Sequence, residues 1–138
     1  MRALVQRVSR AAVSADGERL AAIGPGMVVL LGIAGGDATD AADRLAAKVR
    51  ALRIFDDEEG RMNEPLRDRE ILCVSQFTLY GDASRGNRPS YVAAAPGPTA
   101  EPLYERFCER AGAKHGRFGA RMAIELVADG PVTLLLEA

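Results

Sequence analysis

Residues 27–33, Met-Val-Val-Leu-Leu-Gly-Ile, contain no polar side chain. A strand with one face in water alternates apolar and polar residues. An unbroken apolar run of this length belongs to a strand covered on both faces. Ile71-Leu72-Cys73-Val74 is a second run of the same kind. Between them, residues 39–53 read as a helix. Ala42, Leu45, Val49 and Leu52 make one apolar stripe, and Asp40, Asp43, Arg44, Lys48 and Arg50 lie on the other side. Asp37 or Thr39 is the expected cap. A second helix is expected from Thr99, as its cap, to about Lys114, with Leu103, Phe107 and Ala111 on one face. Shorter strands are predicted at 3–8, 11–15 and 19–23, the last two joined by a hairpin turn at Asp16-Gly17. Residues 56–65 read as a polar turn region, and a last pair of strands is predicted at 122–127 and 132–136. The fold class that follows is α/β: a single layered domain over residues 1–138, with mixed sheets and two main helices packed on one side.

Eighteen Lys and Arg against nineteen Asp and Glu leave a net charge of −1. A protein that tracks a long nucleic-acid backbone carries a strong basic excess. Any nucleic-acid footprint here is therefore small, such as one end of a strand. No apolar run is long enough to span a bilayer, and the first residues lack the apolar core of a signal peptide, so a cytoplasmic protein without membrane contact is expected. Cys73 and Cys108 sit in apolar surroundings and read as reduced core residues.

Few residues offer catalytic chemistry. His115 is the only histidine, and at the expected end of the second helix it reads as a solvated cation site. The chain shows no zinc-ligand spacing, no glycine-rich nucleotide motif and no calcium-loop pattern in Asp56-Asp57-Glu58-Glu59. No metal or cofactor is expected. An enzyme built from such a chain would rely on main-chain donors and a shaped pocket, which can accelerate cleavage of an activated ester. Ser75-Gln76-Phe77-Thr78-Leu79 follows an apolar strand and lies where α/β folds bind ligands. The same residues also fit a strand with Gln76 and Thr78 facing out. The long loop of residues 80–98 offers Arg85 and Arg88 beside Tyr91. It reads either as a phosphate grip with a stacking ring or as an ordinary surface loop. Gly130-Pro131 interrupts the last apolar stretch, as a plain turn or as a functional device.

Several stretches together resemble the D-aminoacyl-tRNA deacylase family, end to end and in order. They are the opening Met1-Arg2-Ala3-Leu4-Val5-Gln6-Arg7-Val8, Gly60-Arg61-Met62-Asn63, Val74-Ser75-Gln76-Phe77-Thr78-Leu79-Tyr80-Gly81-Asp82, Gly86-Asn87-Arg88-Pro89-Ser90, Gly116-Arg117-Phe118-Gly119-Ala120-Arg121-Met122 and Asp129-Gly130-Pro131-Val132-Thr133. The resemblance implies a cytoplasmic homodimer that hydrolyses the ester between a D-amino acid, or glycine, and the 3′-terminal adenosine of tRNA. It implies that Ser75, Gln76, Phe77 and Thr78 form the catalytic pocket, with N–H groups near Phe77 and Thr78 holding the oxyanion. It implies no protein nucleophile, the tRNA's neighbouring 2′-hydroxyl assisting instead. Gly130 and Pro131, joined by a cis bond, would enter the partner subunit's site and hold the substrate's α-amino group, excluding L side chains. Arg7 would support that motif, and Met122 joins the substrate-binding set. The pattern departs at Ala128, where the family usually has Asn, at Arg85, often Lys, and at the closing Glu137-Ala138. A non-catalytic nucleic-acid-binding homodimer that keeps the fold is the alternative, and an esterase for small amino-acid esters is a third reading.

Overall fold

The computed structural model describes all 138 residues. A long first strand, β1 (Arg2–Ala15), runs through the centre of a sheet. At Asp16 and Gly17 both φ values are positive, 51° and 75°, as a tight hairpin turn requires, and β2 (Glu18–Ile23) returns antiparallel. β3 (Gly26–Gly32) pairs antiparallel with the first half of β1. After helix α1 (Thr39–Ala51) come a short hairpin, β4 (Phe55–Asp56) with β5 (Met62–Glu64), and then β6 (Glu70–Ser75), parallel to β3. Helix α2 (Gly97–Ala111) leads to a two-residue strand, β7 (Lys114–His115), and a last strand, β8 (Ala123–Glu137), lies antiparallel along β1. The main sheet has the order β2-β1-β3-β6-β7, with β8 added on β1.

Both apolar runs read from the sequence are covered on two faces, but the two covers differ. Met27, Val29, Leu31, Ile71 and Cys73 face the helices and share one core with Leu45, Val49, Leu103 and Phe107. Val28, Leu72 and Val74 face the other way and meet Val8, Val13, Ile23, Leu126 and Ile124. The sheet therefore curls over itself on the side that carries no helix. Lys114 completes the curl: its Nζ donates to the Ala22 carbonyl on β2 (3.1 Å) and pairs with Glu70 on β6 (2.6 Å).

Several boundaries differ from the sequence reading. Neither Asp37 nor Thr39 caps α1: Ala38 holds that position without a side-chain bond. Asp37 instead accepts from the Met1 ammonium and from the Ala34 N–H, each at 2.7 Å. Helix α2 starts earlier than Thr99 and ends earlier than Lys114. Gly112, at φ 63°, forms a left-handed C-cap whose N–H returns to the Cys108 and Glu109 carbonyls. His115 consequently lies on the edge strand β7, and its Nδ1 sits 2.8 Å from the Gly116 carbonyl. Residues 56–65 contain a small hairpin, not only a turn. The predicted last pair of strands is one strand, β8, with Gly130-Pro131 inside it. Cys73 and Cys108 are free and buried. No helix is long and apolar enough to cross a membrane.

Candidate active site

Strand β6 stops at Ser75 because Gln76 leaves the extended region, with φ −142° and ψ 76°. Phe77–Tyr80 then wind into a single 3₁₀ turn. The alternating-strand reading of Gln76 and Thr78 is thereby replaced. Three contacts hold the turn. Gln76 N–H donates to the Leu31 carbonyl at the end of β3 (2.8 Å). Arg2 Nη1 donates to the Leu79 carbonyl (2.9 Å), while its guanidinium lies 4.5 Å over the Tyr80 ring and its Nε meets Glu137 (2.7 Å). Gly32 lets the turn sit close: a methyl group there would lie 3.0 Å from Leu79 Cβ and 3.1 Å from the Gln76 carbonyl oxygen. The first N–H groups of a helical turn have no acceptor inside it. Those of Phe77 and Thr78 stand in that position. Burial pushes the Tyr80 phenol up, with Asp37 adding to the effect, so Tyr80 stays neutral under Arg2.

Beside the turn opens a cavity of about 640 Å³. Leu31, Ile33 and Val74, at the carboxyl ends of the parallel pair β3 and β6, line one part. Pro96, Gly97 and Ala100 bring in the start of α2, and Phe118, Met122 and Ile124 come from the approach to β8. Ser75, Gln76 and Phe77 supply the polar stretch, and Phe77 stands edge-to-face with Tyr91 at 5.0 Å. No carboxylate, imidazole, amine, guanidinium or thiol lines the cavity. Its chemistry is that of hydroxyl, amide and main-chain groups on apolar walls, suited to an apolar or aromatic ligand with a few fixed hydrogen bonds. The Gln76 amide donates to the Thr78 hydroxyl oxygen. Outside the lining, Tyr104 O–H donates to the Cys73 carbonyl (3.1 Å), tying α2 to β6 two residues before Ser75. Burial drives that phenol far above its usual range, so it remains a donor.

The structure thus brings Ser75, Gln76, Phe77 and Met122 into one cavity. Thr78 is next in the chain but does not line it. Arg7, Gly130 and Pro131 do not line it either; they form a second cluster on β1 and β8. Gln6 pairs with Thr133 and Val8 with Ala128, so Asp129, Gly130, Pro131 and Val132 all stand opposite Arg7 alone. The ladder bulges there. The Gly130–Pro131 bond is cis and Gly130 has φ 120°. Arg7 is the only buried charged residue, 8% exposed. Its Nε donates to the Asp129 carbonyl (3.1 Å) and its Nη1 to the Ile54 carbonyl (2.7 Å), with Asp56 and Asp129 carboxylates at 3.6 and 3.4 Å. Gly130 and Pro131 are themselves exposed.

Sequence reasoning gives no role to Arg2, Gly32 or Phe118, and sees Tyr91 only as a loop aromatic. Arg2 and Phe118 lie inside family-like stretches, which is the one signal that points to them. The walls from Pro96, Gly97 and Ala100 give none, because they reach the site only through the packing of α2.

Fold and cavity together define a class: a layered α/β domain whose ligand cavity opens at the ends of two parallel strands and offers main-chain donors in place of acid–base side chains. Residues 4–137 match the family described as D-Tyr-tRNA(Tyr) deacylase, and the chain belongs to that family. A D-aminoacyl-tRNA deacylase of Symbiobacterium thermophilum is 53% identical, over all of this chain and 96% of that protein. One of Cereibacter sphaeroides is 50% identical over the full length of both. Among solved structures, a "c-Myc DNA Unwinding Element Binding Protein" is 42% identical with a TM-score of 0.94, covering all of this chain and 99% of the other. A probable eukaryotic D-amino acid tRNA deacylase shares the fold, with a TM-score of 0.86 at 16% identity over 99% and 98% of the two chains.

Proposed function

We propose that this protein hydrolyses the ester of D-aminoacyl-tRNA, and of glycyl-tRNA, in the cytoplasm as a homodimer of single 138-residue domains. The observation that carries the reading is the cavity without an acid–base group, set beside a turn with unsatisfied N–H groups, in a chain of the deacylase family. An activated ester needs little more than stabilisation of its oxyanion and exclusion of wrong poses. In this reading Ser75, Gln76 and Phe77 receive the 3′-terminal adenosine and the ester, and the N–H groups of Phe77 and Thr78 bind the oxyanion. Thr78 is not the nucleophile in this reading: it does not line the cavity, and no acid–base side chain there could take its proton. Water attacks, helped by the ribose 2′-hydroxyl.

Handedness is read by the second cluster. Gly130 and Pro131 of one copy enter the cavity of the other, and their carbonyls hold the α-amino group, leaving an L side chain no room. Arg7 fixes the bulge that carries them, and Met122 packs against the substrate. Support comes from the exposure of the motif and from its separation from the cavity of its own chain. The outer edge of β8, unpaired along fifteen residues and bearing exposed Val127, Leu134 and Leu135, is a surface that natural sheets cover.

A second reading, a non-catalytic nucleic-acid-binding homodimer, is favoured by the likeness, at 42% identity, to a protein named for binding a DNA unwinding element. Incubation with tRNA charged with the D and L forms of one amino acid separates the two. Selective release of the D form is expected; equal release of both, or of neither, refutes the deacylase reading.

A further inference from the structure

Most arginines in this chain are already occupied. Arg7, Arg44, Arg67, Arg106, Arg110 and Arg117 meet carboxylates, and Arg50 and Arg53 donate to carbonyls. Five are not: Arg10, Arg19, Arg85, Arg88 and Arg121 are exposed, and their side chains make no hydrogen bond or ion pair. Of these, Arg85 and Arg88 lie three residues apart. They stand on one loop whose ends are fixed. Asp82 and Ser90 exchange both main-chain hydrogen bonds at 2.8 Å, closing the loop at its base. Immediately after that base comes Tyr91, which lines the cavity and contacts the Phe77 ring. Gly81, immediately before it, packs under the same Tyr91 ring. Arg88 is three residues from Tyr91, at most about 11 Å along the chain. The loop's one acid, Asp82, has its carboxylate taken by the Ser84 N–H at 2.9 Å.

Two free guanidiniums on one loop, whose closed base leads directly into the cavity-lining Tyr91, offer a local anion site in a chain of net charge −1. We propose that Arg85 and Arg88 hold phosphates of the single-stranded 3′ end of the tRNA whose terminal ester occupies the cavity. This rests on the deacylase reading of that cavity. The arginines act on capture of the polynucleotide and not on the cleaved bond. They touch the backbone, so they carry no preference for sequence or for the handedness of the amino acid.

The test compares full D-aminoacyl-tRNA with a D-aminoacyl-adenosine that has no phosphate, using the wild type, R85Q/R88Q and R85K/R88K. For R85Q/R88Q on tRNA, KM is expected to rise about tenfold at low salt with kcat unchanged. The slope of log(kcat/KM) against log salt should flatten by about 1.4, at roughly 0.7 for each single-strand phosphate contact. On the aminoacyl-adenosine the variant should equal the wild type, and R85K/R88K should recover most of the salt slope. An unchanged slope on tRNA overturns the proposal and leaves the loop to some other acidic partner. An equal loss on both substrates also overturns it, because the loop would then shape the cavity itself. The same slope difference is to be read from fluorescence anisotropy with uncharged tRNA. A wild type that cleaves neither substrate would end the deacylase reading while that binding measurement still decides the role of the arginines.

Discussion

Gly130→Ala is the sharpest perturbation of the second cluster, and Gly60→Ala provides its control. Both glycines have positive φ, 120° and 76°. They differ in surroundings. A methyl group at Gly60 meets nothing within 4 Å, whereas at Gly130 it lies 3.0 Å from Arg7 Nη2, 3.0 Å from Val132 Cγ2 and 3.1 Å from Val132 N. Gly60→Ala therefore carries only the conformational cost of an L residue, about 1–2 kcal/mol. Gly130→Ala adds an overpacking cost of about 1–3 kcal/mol. Arg7 cannot yield freely, since its other nitrogens are held by the Asp129 and Ile54 carbonyls. The bulge cannot slide, since Gln6–Thr133 and Val8–Ala128 pair on either side. The total of about 2–5 kcal/mol corresponds to a Tm drop of about 8–20 °C at roughly 4 °C per kcal/mol for a chain of this size, against about 4–8 °C for the control. Thermal and urea unfolding at matched protein concentration measure both. At a temperature where both variants are folded, D-aminoacyl-tRNA hydrolysis should fall at least about tenfold for Gly130→Ala and stay near wild type for Gly60→Ala, because sub-ångström misplacement of a positioning group is enough for such a loss. A Gly130→Ala protein no less stable than Gly60→Ala would refute the claim that Arg7 and this glycine are packed against each other.

Gly32→Ala pushes a methyl group toward Leu79 Cβ, the Gln76 carbonyl and Tyr80 Cδ2, all within 3.3 Å. It should displace the 3₁₀ turn by a few tenths of an ångström and lower kcat about tenfold with KM little changed; steady-state kinetics check this. Glu70 is held below the ordinary carboxylate range, first by its hydrogen bond from Lys114 and then by the Gly24 N–H. Its contribution to stability is therefore present above the unfolded-state value of 4.5 and is lost as pH falls through the lower folded-state value. Glu70→Gln should be less stable than wild type at pH 7, with the gap closing in acid, as read by urea unfolding across pH 2–7.

What the sequence reveals follows from local period. The runs at 27–33 and 71–74 and the stripes of α1 and α2 repeat at fixed spacing, so their burial is legible. The end of α2 is misplaced at about Lys114 because the apolar pattern alone runs past it; the signal that stops the helix is Gly112, a residue that readily adopts the left-handed cap. Other features are set by distant partners. Gly130-Pro131 looks like a break between two strands, and only pairing with β1 on both sides makes it a bulge within one. The self-cover of the sheet depends on its curl, which no window of sequence contains. At the site, the stretch from Ser75 is found by motif. Its geometry is not, because the strand ends where Gln76 turns and the turn is held by Arg2 from the far end of the chain.

The cavity's lack of ionisable lining apart from the Tyr91 phenol has a physiological corollary. An enzyme that needs one imidazole neutral and one carboxylate charged slows when its surroundings acidify. A pocket that works through peptide dipoles has no proton to gain or lose near neutrality. Any inflection in the rate across neutral pH should therefore come from the substrate and not from a side chain lining the cavity.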